Sequence, residues 1–260
     1  MTTEDRETPP VGQPDSGDSR SSSFPDPAAG SRPARRRRLR WWHELVVLAL
    51  VAVLGALAIK TFVVQPFYIP SESMEPGLVE DDRILVEKVS SWAGEPERGD
   101  VVVFADPGGW LPDTGGEDGL LTRMGLQPGG GHLVKRVIGV AGDTVSCCDD
   151  EGRLQVNGVS IDEPYARPDD RGCYGPMKPS CEWTAGPVPE GELFVMGDNR
   201  AESADSSYRL CPAEAELAAC DLDPYVDTDL VVGRLAAVVW PPGRFDLGGG
   251  TDAFDEVPDP

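Results

Sequence analysis

Short apolar runs rich in β-branched residues recur along the chain, and most of them end near Gly, Pro or Asp. Runs of this length and composition, bounded by turn-forming residues, are typical of β-strands. Seven strands are predicted at residues 83–88, 101–104, 133–140, 144–145, 154–156, 193–196 and 230–239. Only one short helix is predicted beside them, at residues 213–219. This pattern predicts an all-β domain of many short strands.

Residues 149–186 break the regular spacing of these strands. They contain a hairpin pattern around Asn157-Gly158, a dipeptide that favours a tight turn, followed by a Cys- and Pro-rich stretch. We predict that this segment is an inserted Cys-rich subdomain, which divides the main β domain into residues 67–148 and 187–245. Residues 106–131 are rich in Gly and Pro and are predicted to form a loop.

One apolar run is longer than the others. Residues 45–64 are apolar apart from Lys60 and Thr61, and twenty helical residues rise about 30 Å, enough to cross a bilayer core. The Arg-rich segment before the run places its N-terminal side in the cytoplasm. We therefore predict a transmembrane helix at residues 41–66. A cleavable leader ending at Ala56-Leu57-Ala58 is the alternative, but the apolar run continues past that site.

The two ends of the chain differ from the rest in composition. Residues 1–40 are rich in Ser, Pro, Gly, Asp and Arg, and they predict a disordered cytoplasmic tail with a basic end. Residues 246–260 predict a disordered acidic tail. The chain as a whole has a formal net charge of −22. So acidic a protein is a poor partner for nucleic acid.

All six cysteines follow the apolar run, on the side where disulfides persist after export. Six cysteines allow 15 pairings, so the sequence does not choose among them. Local loops closed by Cys173–Cys181 and Cys211–Cys220 are candidates. We do not expect Cys147 to pair with its neighbour Cys148, because adjacent residues fit disulfide geometry poorly. The chain has two His and no C-x-x-C motif, so no metal site is predicted.

The candidate activity is catalysis by a nucleophilic serine whose proton is taken by a residue other than histidine. His43 lies at the cytoplasmic end of the predicted span and cannot reach the outer side, and His132 has no evident role, so a Ser-His-Asp triad is not favoured. A lysine can replace histidine if apolar surroundings lower its pKa. Lys135 suits this role, because strand alternation places it on the same face as Leu133 and Val137. Lys88 is the competitor, but it follows Glu87 at a strand end.

Three segments, at residues 68–76 (YIPSESMEP), 135–139 (KRVIG) and 197–206 (GDNRAESADS), resemble the type I signal peptidases. These are membrane-bound serine proteases that remove signal peptides. The resemblance covers about residues 60–145 and 188–240, and it implies a signal-peptidase-like fold for the catalytic β domain. It implies that Ser73 is the nucleophile and Lys135 the general base. The Ser73 backbone N–H and the Ser71 hydroxyl would hold the oxyanion.

The same resemblance implies supporting roles for five further residues. Ser203 would orient the lysine, and Asp198, Arg200 and Asp205 would brace the site, with Arg136 as the partner of Asp198. The sequence also departs from the family pattern: Glu72 replaces Gly, Gly77 replaces Thr, and Ser207 replaces an Arg. Asp205 therefore requires another partner, with Arg209 and Arg200 as candidates.

The function implied is that of a plasma-membrane endopeptidase with one span, a cytoplasmic N-terminus and an extracytoplasmic catalytic domain. Its partners would be exported preproteins with signal peptides and membrane lipid. It would act as a monomer, without a cofactor or nucleic acid. Family members accept small residues at the first and third positions before the cut. Two alternatives stay open: an anchored, non-catalytic binding protein of the same fold, and a Ser/Lys autoprotease.

Overall fold

The computed structural model describes residues 34–89, 94–111, 131–168, 182–210, 223–248 and 250–260. Residues 1–33 of the predicted tail and the predicted helix at residues 213–219 lie outside these ranges. The rest of the predicted tail, residues 34–40, is helical rather than disordered. So do Cys173, Cys181, Cys211 and Cys220, and with them both candidate local disulfides.

The first residues that the structure describes form one long helix. α1 spans Ala34–Phe62 and is 29 residues long. Among the described helices, none combines the length and hydropathy that crossing a bilayer requires. The predicted helix boundary at residue 66 is wrong, because residues from Val64 onward form a β-strand that pairs with the next strand of the chain.

Twelve strands follow within the described residues. They are β1 (Val64–Tyr68), β2 (Arg83–Glu87), β3 (Val101–Ala105), β4 (His132–Gly139), β5 (Val145–Cys147), β6 (Leu154–Val156), β7 (Val159–Ser160), β8 (Trp183–Ala185), β9 (Glu192–Met196), β10 (Val226–Asp227), β11 (Val231–Trp240) and β12 (Asp246–Leu247). A short helix, α2 (Ser206–Arg209), lies between β9 and β10. The predicted all-β fold is confirmed.

The strands form two antiparallel sheets in the described part of the chain. The main sheet has the order β1-β2-β11-β3-β4-β9-β10, with β12 paired to β11. The second sheet has the order β7-β6-β5-β8. Its hairpin is the predicted one, since Asn157 and Gly158 have φ angles of 53° and 79° and join β6 to β7. The second sheet begins at β5, before the predicted start of the insert.

Three apolar clusters hold the two sheets. One packs the second sheet against β9 and includes Leu154, Ile161 and Phe194. Another lies around the turn that follows β1 and includes Ile69 and Met74. The third packs on β3 and β4, and the list of its buried members contains Val102, Phe104, Trp110, Leu133, Val137, Leu193, Val195 and Val226. Strand alternation buries these side chains because each sheet face meets another layer.

Two predictions about this region are wrong. The segment at residues 246–260 is not a disordered tail, because Phe254 and Val257 are buried in the cluster of the second sheet. Cys147 and Cys148 are joined by a disulfide. The peptide bond between them is cis, and their Cα atoms lie 3.0 Å apart, which the sequence alone did not indicate.

Candidate active site

Ser73 and Lys135 come together from different parts of the main sheet. Ser73 lies in the turn that follows β1, and the buried side chain of Met74 fixes this turn against the sheet. Lys135 is at the middle of β4, where it pairs with Val102 of β3. The Lys135 Nζ atom lies 2.7 Å from Ser73 Oγ. A neutral amine at this distance can accept the proton of the hydroxyl.

Burial changes the acidity of Lys135. The side chain is only 4% exposed. Desolvation lowers the pKa of Lys135 from 10.5 to about 8, although the negative charges of Asp205 and Asp198 act in the opposite direction. An ammonium group loses its hydration when it is buried, so the neutral form becomes more favourable. The amine is therefore neutral in about a tenth of molecules at pH 7, a far larger fraction than for a free lysine.

Ser71 provides a second hydroxyl beside the nucleophile. Its Oγ atom lies 3.3 Å from Ser73 Oγ, and both side chains border the same groove. The groove has a volume of about 400 Å³. Its described lining is mostly apolar and includes Ile69, Met74 and Val134. Ser73 therefore faces a mostly apolar groove.

Ser203 lies close to the nucleophile, but its hydroxyl makes no hydrogen bond to Lys135. Its hydroxyl is fully buried and has no hydrogen-bond partner among the described residues. The expected hydrogen bond to the lysine is therefore not formed. Ser203 packs against Gly197, where a Cβ atom would collide with Ser203 Oγ and with the carbonyl oxygen of Ser73. The missing side chain at Gly197 lets these segments approach.

Arg136 and Asp198 form the pair that the sequence predicted. Arg136 Nε donates to Asp198 Oδ1 at 2.8 Å, and its Nη2 donates to Oδ2 at 2.7 Å. A third hydrogen bond runs from Nη1 to the carbonyl oxygen of Gly99 at 2.8 Å. Both side chains are buried, so this two-point ion pair fixes the end of β9 against β4.

Asp205 has partners that differ from the predicted ones. Its carboxylate accepts hydrogen bonds from the Gly197 amide at 2.9 Å and from the Ser207 hydroxyl at 2.6 Å. Ser207 therefore binds Asp205 in place of the predicted arginine partners. Arg209 instead donates to the backbone carbonyls of Ala204 and Asp205, so it holds the chain around this carboxylate without binding it.

Arg200 binds a residue that the sequence did not single out. Its guanidinium makes a buried two-point ion pair with Glu163, and its Nε donates to the carbonyl oxygen of Gly197 at 3.0 Å. Asn199 was also missed. Its backbone N–H donates to the carbonyl oxygen of Ser73 at 3.1 Å, and its side-chain Nδ2 donates to the carbonyl oxygen of Glu72 at 3.1 Å. No periodicity or motif in a single sequence links Glu163 to Arg200.

An all-β domain with a serine hydroxyl beside a buried lysine amine and an apolar groove is suited to the chemistry of a serine hydrolase. A family model described as "Signal peptidase, peptidase S26" matches residues 41–240. Signal peptidase I of Mycobacterium tuberculosis strain H37Rv is 39% identical over 254 residues, covering 89% of this chain and 81% of the relative. Probable signal peptidase I of Mycobacterium leprae is 36% identical over 247 residues, covering 86% and 84%.

A solved structure is also similar. It is a crystal structure of a signal peptidase I from Enterococcus faecalis V583, with 27% identity and a TM-score of 0.34, covering 55% of this chain and 97% of that chain. The family model covers most of the chain, and the mycobacterial relatives match along nearly all of it. The chain therefore belongs to the signal peptidase family, peptidase S26, and is a serine peptidase.

Proposed function

We propose that the protein removes N-terminal signal peptides from exported preproteins, with Ser73 as the nucleophile and Lys135 as the general base. The distance of 2.7 Å between Ser73 Oγ and the buried Lys135 Nζ carries this proposal. Family membership supports the substrate class. The pKa of about 8 supports the role of the base, because only the neutral amine accepts a proton.

In the first step, neutral Lys135 takes the proton of Ser73 while Oγ attacks the scissile carbonyl carbon. The carbonyl oxygen becomes an oxyanion, which accepts hydrogen bonds from the Ser73 amide and the Ser71 hydroxyl. The protonated lysine then gives its proton to the leaving amine, and an acyl-enzyme on Ser73 is left. Water, deprotonated by the same lysine, attacks the acyl carbon. Ser73 Oγ leaves with the proton from the lysine, and the signal peptide is released as a carboxylic acid that ionises in water.

Four of the other predicted residues hold the backbone around this pair. Arg136 and Asp198 hold β4 and the end of β9 together beside Lys135, and Arg200 and Asp205 hold the backbone of Gly197. Asp198 and Asp205 also moderate the fall in the pKa of Lys135. The site therefore combines an apolar environment with two fixed negative charges.

We further propose that the enzyme is anchored to the plasma membrane by its N-terminal apolar segment, from residue 41 to the start of β1, with a cytoplasmic N-terminus. The apolar run at residues 45–64 supports this, as do the exposed apolar side chains of α1, Leu48 and Val51 among them. On the catalytic domain, Trp240 and Phe245 are 52% and 64% exposed. Apolar side chains exposed in this way are suited to lipid contact. A monomer bound in this position would meet preproteins as they leave the membrane.

The test is cleavage of a preprotein with an Ala-x-Ala site in detergent, followed by mass analysis of both products. Wild type should cut after the second Ala. Ser73→Ala and Lys135→Ala should keep their folded circular dichroism spectra but lose cleavage by at least a thousandfold, while Lys88→Ala should cleave at the wild-type rate. Cleavage by folded Ser73→Ala would refute the assigned nucleophile. A folded wild type that cuts no preprotein would refute the function.

A further inference from the structure

Glu163 and Tyr165 belong to the segment that follows β7 of the second sheet, yet their side chains bind the main sheet. Glu163 is 3% exposed, and its carboxylate accepts two hydrogen bonds from Arg200, of 3.0 Å at Oε2 and 2.6 Å at Oε1. A two-point pair between a carboxylate and a guanidinium fixes both groups in orientation as well as position. The conformation of Arg200 therefore depends on the inserted segment.

Tyr165 connects the same segment to the other arginine of the site. Its hydroxyl donates to Glu163 Oε1 at 2.6 Å, and its ring centre lies 3.9 Å from the guanidinium carbon of Arg136. A guanidinium over an aromatic face is attracted by the ring, and the attraction is stronger when water is excluded. Arg136 is the residue that binds Asp198. Glu163 thus holds Arg200, which follows Asn199 in the chain. Tyr165 contacts Arg136, which binds Asp198 from β4.

The backbone of the segment makes the same connection. The Arg167 amide donates to the Asp198 carbonyl at 2.7 Å, and the Arg200 amide donates to the Arg167 carbonyl at 3.0 Å. These two bonds form a short parallel bridge between Arg167 and Asn199. Asn199 is thereby fixed from the side of the insert.

Asn199 is the link to the nucleophile. It donates to the carbonyl oxygens of Glu72 and Ser73. The Glu72 carbonyl and the Ser73 amide belong to one planar peptide group, so holding the oxygen also sets the direction of the N–H. That N–H is the proposed oxyanion donor. A displacement of Asn199 would move both this donor and Ser73 Oγ relative to Lys135.

We propose that Glu163 and Tyr165 are positioning residues for the peptidase reaction, which hold residues 198–200 so that Asn199 fixes the backbone of the nucleophile. The inference rests on the proposed roles of Ser73 and Lys135. Neither residue reaches the reacting atoms, so both act through Arg200, Arg136 and Asn199. This gives the inserted segment a role in catalysis, beyond covering one side of the sheet.

A purely structural role is the competing explanation, because breaking a buried ion pair also destabilises a fold. The two explanations predict different kcat values for variants that are fully folded. A small misplacement of a nucleophile can cost about a hundredfold in rate without loss of substrate binding. A loss of stability alone lowers activity only in proportion to the folded fraction.

The experiment compares Glu163→Gln, Tyr165→Leu and Tyr165→Phe with a matched control, Val156→Ala. Val156 is fully buried in the same subdomain but belongs to the apolar cluster of the second sheet. The kcat and KM for an Ala-x-Ala peptide are measured with the full chain in detergent, at a temperature where thermal melts show each variant to be folded. Ser73→Ala is measured in parallel.

Glu163→Gln and Tyr165→Leu should lower kcat about tenfold to a hundredfold with KM within about twofold of wild type. Tyr165→Phe keeps the ring against Arg136 and should recover most of the rate that Tyr165→Leu loses. Val156→Ala should melt at a lower temperature and keep the wild-type kcat.

If Glu163→Gln does not fold, the kcat values of the two Tyr165 variants test the inference. Wild-type kcat in the folded variants, or losses equal to that of Val156→Ala, would overturn the inference. Cleavage by Ser73→Ala would instead refute the proposed function.

Discussion

Single residues decide the chemistry of this site, and Lys135 is the clearest case. Its position between apolar residues on one strand predicted a buried amine, and the structure places Nζ within hydrogen-bond distance of Ser73 Oγ. The hydrogen bond expected between Ser203 and Lys135 is not formed, and the Ser203 hydroxyl packs on Gly197. Contacts along a strand follow from alternation, whereas contacts between distant loops depend on packing that a single sequence does not encode visibly.

Gly197 gives the first prediction at this scale. Replacing it with Ala would push a methyl group into Ser203 Oγ and the carbonyl oxygen of Ser73. The backbone of the nucleophile must then shift, so Gly197→Ala should lower kcat/KM for an Ala-x-Ala peptide by at least tenfold. Gly243→Ala is the control, because no atom lies within 4 Å of the added Cβ. Equal activity of the two variants would contradict the close packing at Gly197.

At the scale of elements, the sequence predicted the central strands well. β2, β3, β4, β9 and β11 coincide with apolar, β-branched runs to within two residues at each end. Burial on the two faces of the main sheet is the physical cause of these runs. The hairpin of β6 and β7 was predicted from its turn residues. Local chemistry was sufficient for all of these elements.

Other elements had no such signal. β1 contains a proline and directly follows the apolar run of α1, so its residues resembled the end of a helix. β10 and β12 are two residues long, too short for a periodic pattern. The contacts of Glu163 with Arg200 join residues 37 apart through tertiary packing alone. These features depend on the assembled sheets, and the predictions failed or were silent there.

β11 carries the prediction that belongs to this scale. It lies between β2 and β3, and a Cβ atom at Gly233 would collide with the carbonyl oxygen of Glu87 on β2. Gly233→Ala should therefore reduce the free energy of unfolding by about 1–3 kcal/mol, because the central ladder must open to fit the methyl group. Urea denaturation followed by tryptophan fluorescence measures this. A change below about 0.5 kcal/mol would show that β2 and β11 are farther apart at this point.

Across the whole molecule, residues 250–260 tie the two sheets together. Arg98, which precedes β3, makes a two-point ion pair with the buried Asp143 before β5. The carbonyl oxygens of Val257 and Pro258 also accept hydrogen bonds from Arg98. An acidic composition suggested a tail here, but composition did not reveal that two apolar side chains would be buried. The segment is part of the folded domain.

A matched pair of phenylalanines tests this arrangement. Phe254 is 6% exposed in the cluster of the second sheet, whereas Phe245 is 64% exposed. Phe254→Ala should lower the free energy of unfolding by about 3 kcal/mol, since truncating a buried aromatic side chain leaves a cavity. Phe245→Ala should change it by less than about 0.5 kcal/mol. A change of less than about 0.5 kcal/mol for Phe254→Ala would contradict the packing of residues 250–260 into the domain.

The dependence of kcat/KM on pH tests the central claim, that Lys135 is the base for Ser73. Lys135 accepts a proton only when neutral, and burial holds its pKa at about 8. The rate of cleavage of an Ala-x-Ala peptide should therefore be low in acid, rise about tenfold per pH unit below the midpoint, and level off above an apparent pKa of about 8. A rate that is flat between pH 6 and pH 9, in a protein that stays folded over that range, would contradict the assignment.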